Sequence, residues 1–230
     1  MRIVYLLKIP LGEKFMQNKL EITKNNQKIQ SQELSPFAEV IESSLEGWVA
    51  QSWKWDMFPA FGSLVTIQDA KKTWFGLVYQ IKTGSLDPHR AIFTYQKTAD
   101  ELLQDQPHIF EFLSTRFSCL TIGFKLHNKI YYQRAPEPPK IHAFVKNGSL
   151  DEKKQFFSSS AFLPLIFNTP DSSTSGNIDE LFLALVYQQA QAGLLSEKKL
   201  LELIETFSLL TGNDYRRNKI LLKRIELCTQ

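Results

Sequence analysis

The sequence predicts an α+β fold, a small closed β-barrel with an inserted helical segment, followed by a small C-terminal helical domain. Three observations predict it. Runs of β-branched and aromatic residues crowd between Phe37 and Val145. Gly62, Gly76 and Gly84 interrupt those runs, as expected where a tightly curved sheet needs bends or close backbone approach. Beyond Val145 the apolar residues recur at helical spacing. The expected organisation is a mobile N-terminal leader over 1–35, the barrel over 36–145, a linker region over 146–176 and a three-helix domain over 177–230.

A chain of 230 residues with 43% hydrophobic content can bury one sizeable core or two modest ones. Its 27 basic and 24 acidic side chains leave a formal charge of +3, too little to drive general attachment to nucleic acid, so any electrostatic role is local. Cys119 and Cys228 stand far apart and make neither a disulfide framework nor a metal-knuckle spacing, which fits a reducing, cytoplasmic setting. The apolar run Ile3–Leu7 is broken by Lys8 and Pro10, with no small-residue cleavage site behind it, so a secretory signal is not expected. No apolar run reaches the length of a spanning helix, and membrane insertion is not expected either.

In chain order, Gln17–Gln32 is rich in Asn, Gln and Lys and cannot bury enough surface to offset chain entropy, hence the mobile leader. After Pro36, three β-type runs are expected, the first around Phe37, Val40, Ile41, Trp48 and Val49, the second over Phe61–Ile67 and the third over Trp74–Ile81. Asp87-Pro88 favours a type I turn, which starts the next strand near Ala91. Thr98 with Glu101 has the form of a capping box, and Leu102 and Leu103 supply the apolar face of a short helix. Pro107 suits another first helical turn, with Ile109, Phe110, Leu113 and Phe117 at helical spacing behind it. Cys119–Phe124 then returns to the sheet, with Ile130–Tyr132 as hairpin partner, and Pro136, Pro138 and Pro139 lead out of the barrel.

In the last third, Ser158–Ser160 and Asp171–Gly176 mark flexible joints. Asn177 and Glu180 cap a helix carrying Leu181, Leu185 and Val186 that ends at Gly193. A second helix spans Ser196–Leu210, with Leu200, Leu203, Ile204 and Phe207 on one face and Gly212 as its stop. Tyr215–Leu227 makes a third, and none of the three can hide its apolar stripe alone.

Several short motifs add to this pattern: Pro59-Ala-Phe-Gly-Ser-Leu-Val65, Phe75-Gly-Leu-Val-Tyr79, Thr83-Gly-Ser-Leu-Asp-Pro88, Lys97-Thr-Ala-Asp-Glu-Leu102, Gln106-Pro107, and Pro138-Pro139 with His142. On these residues the stretch over about 37–145 resembles the HAS-barrel family, the small barrel at the N-terminus of HerA-type helicases and of ATP synthase catalytic-type subunits. The resemblance implies a module that helps to assemble or dock a ring and binds no nucleotide itself. This chain lacks the Gly-x-x-x-x-Gly-Lys-[Ser/Thr] loop that would cradle phosphates, and its C-terminal third is too short for a motor domain. The resemblance therefore implies a motor on a separate chain.

Thr83, Gly84, Ser85, Asp87, His89 and Arg90 gather a hydroxyl, a carboxylate, an imidazole and a guanidinium on one loop. A turn whose polar groups face water accounts for them, and a partner contact is the sharper reading. Trp48, Trp53, Trp55, Phe58 and Phe61 fill a barrel or, with Lys54, form a stacking platform for single-stranded nucleic acid. Trp53-Lys-Trp55 as a loop tip would leave a ring to anchor a partner.

The last helix carries Arg216, Arg217, Lys219, Lys223 and Arg224 against Asp214 and Glu226, either a solvated face or a contact for nucleic acid or an acidic partner. His89, His108, His127 and His142 are scattered, Cys119 sits among hydrophobes, and no serine stands in a nucleophile elbow. No catalytic residue, metal or cofactor is therefore expected. The expected function is that of a non-catalytic adaptor or accessory subunit docking a protein partner, with a ring-forming ATPase or helicase, and so DNA metabolism, as the setting the resemblance implies. The alternative is a nucleic-acid-binding protein using the aromatic cluster and the basic last helix.

Overall fold

The computed structural model describes residues 35–167 and 178–229, apart from Pro88 and Arg90. The expected leader up to residue 34, the Asp171–Gly176 joint, the Asn177 cap and the candidate contact Arg90 lie outside the described residues.

Alternating burial sets the first two strands. β1 (Ala38–Ser43) turns Ala38 and Val40 inward, and β2 (Gly47–Ser52) does the same with Trp48 and Ala50. β3 (Leu64–Gln68) and the first half of β4 (Lys72–Ser85) are instead buried on both faces, as is most of β5 (Leu113–Leu126). Two cores lie on opposite sides of these strands. The inner one draws Val40, Trp48, Ile67, Val78, Phe117 and Val145 from around the sheet. The outer one sets Leu64, Phe75, Leu77, Leu120 and Ile122 against helices. A strand covered on both faces reads as a continuous apolar run for this reason.

All pairings are antiparallel, in the order β2-β1-β7-β3-β4-β5, and β2 also pairs with β5, which closes a six-stranded barrel. β6 (Lys129–Tyr131) folds back on β5 across the turn at His127 and Asn128. β7 (Phe144–Asn147) follows the proline stretch, where a departure from the barrel was expected. It fills the gap between β1 and β3, pairing Val145 with both Ala38 and Ile67. Closure removes the open edges that both strands would otherwise present.

Three local expectations are corrected. No strand starts near Ala91; residues 91–95 have no regular structure and are exposed. α1 (Ala99–Asp105) has the predicted capping box, but it buries none of its residues and Leu103 faces solvent. The helical spacing behind Pro107 holds only for a 3-10 helix, Pro107–Phe112, and Leu113 and Phe117 belong to β5. Pairing with β4 continues out to Ser85 and Leu113, and this ladder satisfies more backbone groups than one further helical turn would.

After β7, α2 (Leu150–Phe156) and α3 (Leu163–Phe167) stand within 146–176, the stretch read from sequence as linker. α2 opens on a capping box of Ser149 and Glu152. α4 (Ile178–Gln191), α5 (Glu197–Leu210, capped by Ser196) and α6 (Tyr215–Thr229) match the three predicted helices. They bury Leu181, Leu185, Val186, Leu203, Ile204 and Phe207, as their spacing predicts.

The helices pack directly on the barrel. Gly62 adopts φ +76°, and a Cβ there would lie 2.6 Å from the Ala184 Cβ of α4. Gly76 makes room for the Trp48 ring, whereas Gly84 has open space around it and serves no such approach. No described helix is long and apolar enough to cross a membrane.

Candidate partner-binding site

The β4–β5 hairpin outgrows the barrel. β3 accompanies β4 only as far as Leu77, and β2 accompanies β5 only down to Arg116, while the ladder between β4 and β5 runs on to Ser85 and Leu113. The last residues of β4 and the first of β5 thus form a two-stranded arm whose tip is the segment 86–112.

Side chains on the arm make it a defined structure. Thr83 Oγ1 lies 2.8 Å from Thr115 Oγ1 across the ladder, and the buried Thr115 hydroxyl also donates to the Trp55 carbonyl. Trp55 stacks on Phe110 of the 3-10 helix, with centroids 5.3 Å apart and planes 20° apart. The loop after β2 therefore holds the arm at two points, both through Trp55. Leu86 N donates to the Phe112 carbonyl at 2.7 Å, and Asp87 Oδ1 accepts from His89 N at 2.9 Å. The latter is the local turn chemistry that Asp supplies.

The predicted loop residues thus fall into distinct roles. Thr83 and Asp87 bond within the arm, and His89 meets Asp87 through its backbone. Ser85 helps to line a small hollow of about 100 Å³ with Ile92, Phe93, Tyr95, His108 and Phe112. That hollow is the main feature sequence reasoning missed. Phe93 is 71% exposed and Ile92 60% exposed, and Leu86, Tyr95 and Phe112 are exposed beside them in the chain or the hollow. The Asp87-Pro88 turn placed a strand here, and without a neighbouring strand among the described residues these side chains form an apolar surface.

The two loop tryptophans divide in the same way. Trp55 is spent on Phe110, whereas Trp53 is 53% exposed. Trp53 Nε1 donates to Glu39 Oε1 at 3.0 Å, and its ring meets Phe144 edge-on at 5.5 Å. Glu39 Oε2 lies 3.2 Å from His142 Nδ1. Trp48 fills the barrel, so the aromatic cluster does not form one continuous stacking platform.

The basic last helix is partly committed inside the chain. Arg217 pairs with Asp179, its Nε 3.0 Å from both carboxylate oxygens. Arg224 grips Glu180 with two nitrogens, at 2.5 and 2.7 Å. Hydrogen bonds from Arg224 hold the Glu180 carboxyl below its ordinary range, and the Asp179 carboxylate raises the Arg217 guanidinium further. Arg216, Lys219 and Lys223 take no part in these pairs and are exposed.

A second cavity, of about 200 Å³, opens by the β1–β2 turn and is lined by Glu42, Ser43, Trp48, Tyr79 and Cys119 among others. Burial pushes the Cys119 thiol well above its ordinary value and raises the Tyr79 hydroxyl, so neither is activated as a nucleophile. Among the described residues, no group of three His, Cys, Asp or Glu side chains is arranged to hold a metal ion. No protein-family model matches this chain, and no curated protein matches it.

Proposed function

We propose that the protein is a non-catalytic adaptor or accessory subunit that docks a protein partner through its barrel, with the β4–β5 arm as the contact. The observation that carries this reading is the exposure of Ile92 and Phe93 at the tip of an arm held in place by Thr83, Thr115, Trp55 and Phe110. Large apolar groups at a solvent-facing tip are what a partner's pocket buries. Trp53 and Phe144 add a second aromatic pair of the same character. The resemblance to HAS barrels makes a ring-forming ATPase or helicase, supplied by another chain in the cytoplasm, the class of partner to look for.

The alternative of nucleic-acid binding is weakened by the commitment of Arg217 and Arg224 to Asp179 and Glu180 and by the burial of Trp48.

Capture from native cells tests the proposal, with the full chain and its Ile92→Ser/Phe93→Ser variant as baits. The expected result is a ring ATPase or helicase enriched on the first bait and lost from the second, with equal thermal stability of the two baits. Equal capture by both would remove the arm from the interface, and capture of no protein by either would remove the adaptor reading.

A further inference from the structure

The outward face of α6 is a surface of a different kind from the arm. The helix buries Asn218, Leu221 and Ile225, and its Arg217 and Arg224 turn sideways to α4. Arg216, Ile220, Lys223 and Leu227 follow one another at spacings of four, three and four, so they share the opposite face, with Lys219 at its margin. Ile220 is 63% exposed and Leu227 75% exposed. Among the described residues, no carboxylate is ion-paired with the side chains of Arg216, Lys219 or Lys223; Lys219 sits over the Tyr215 ring, 6.0 Å from its centre. Two acids border the helix. Asp214 caps the backbone N–H groups of Arg216 and Arg217, and the half-buried Glu226 lies one turn beyond Lys223. Three cations thus frame two large aliphatic groups with no acid between them.

We propose that this face docks an acidic amphipathic helix of a partner protein, one with aliphatic residues along a stripe and carboxylates beside it. Charge complementarity selects that occupant. The same helix already binds carboxylates through Arg217 and Arg224, both acceptors lying in the first turn of α4. A phosphate backbone would satisfy the cations and leave Ile220 and Leu227 without partners. A bilayer surface calls for a broader apolar stripe than two aliphatic side chains supply. A helix read at i, i+3, i+4 and i+7 satisfies both sets of groups at once.

The test is a binding titration on the full chain with three probes: a fluorescent helical peptide of Leu on one face flanked by Glu, vesicles of phosphatidylserine and phosphatidylcholine in equal parts, and duplex DNA. The expected result is peptide binding that weakens by about tenfold or more in Ile220→Ser/Leu227→Ser and, independently, in Lys219→Glu/Lys223→Glu. Ile92→Ser/Phe93→Ser, on the arm, should bind the peptide like the parent, which separates this proposal from the adaptor reading. All these side chains are exposed, and a circular dichroism melt verifies each variant's fold. No peptide binding, binding insensitive to either α6 pair, or tighter binding of vesicles or DNA through the same residues would overturn the proposal.

Discussion

Arg217 closes on Asp179 across the contact between α6 and α4, with Nε 3.0 Å from both oxygens and Nη2 2.5 Å from Oδ1, while its guanidinium lies 5.7 Å from the centre of the Phe207 ring of α5. One side chain therefore ties all three C-terminal helices. The pair is partly exposed, at 37% and 21% for the two side chains, and screening limits its worth. Asp179→Ala should cost about 1 kcal/mol in urea unfolding. Arg217→Lys should lose part of the same amount, because an ammonium lacks the planar fork.

The Glu180–Arg224 pair makes a pH prediction. The folded carboxyl sits below the ordinary glutamate value of 4.5, so the unfolded chain takes up its proton first. The contribution is present in full above that value and is lost as pH falls through the lower, folded one. Acid unfolding of Arg224→Gln should accordingly show a shallower loss of stability in this window than the parent, read as a smaller change in urea midpoint on acidification.

Gly62→Ala tests the docking of barrel on helices. The position combines φ +76° with a would-be Cβ 2.7 Å from the Ala184 carbonyl carbon, and backbone cannot swing aside as a side chain can. Strain and overpacking together should cost about 2–4 kcal/mol. Thermal melts of Gly62→Ala and of Gly84→Ala, where space is open, provide the contrast, with the second close to the parent.

Gln189 is 1% exposed in α4, and among the described residues neither its Nε2 nor its Oε1 has a hydrogen-bond partner. Gln189→Met keeps the approximate length of the side chain and removes the unpaired amide. It should raise stability by about 1–2 kcal/mol in denaturant titrations. A loss of that size would indicate that the amide has a partner in solution.

Cys119 is enclosed in the barrel and its thiol is held protonated by burial. In a Cys228→Ser background, alkylation of Cys119 should proceed only at the rate of unfolding and be complete in denaturant, as read by mass spectrometry. Fast labelling of the folded protein would mean that the barrel opens locally.

Interactions within a few residues of one another were legible in the sequence. The Thr98–Glu101 box, the Ser196 start, the ends at Gly193 and Gly212 and the apolar stripes of α4 and α5 depend on groups one turn apart, so spacing alone reveals them. The same rule applied to Ser149 and Glu152 would have found α2.

The tertiary structure decided what depends on distant neighbours. Four residues make β7 a strand only because β1 and β3 wait on either side of it. Leu113 and Phe117 leave their helical spacing for the ladder with β4, and Arg217 and Arg224 find acids 38 and 44 positions away. The arm reverses this outcome, for Ile92 and Phe93 read as strand and find no strand beside them. Apolar pattern states which residues gain from burial, but burial needs a second surface, and only the assembled fold determines which residues receive one.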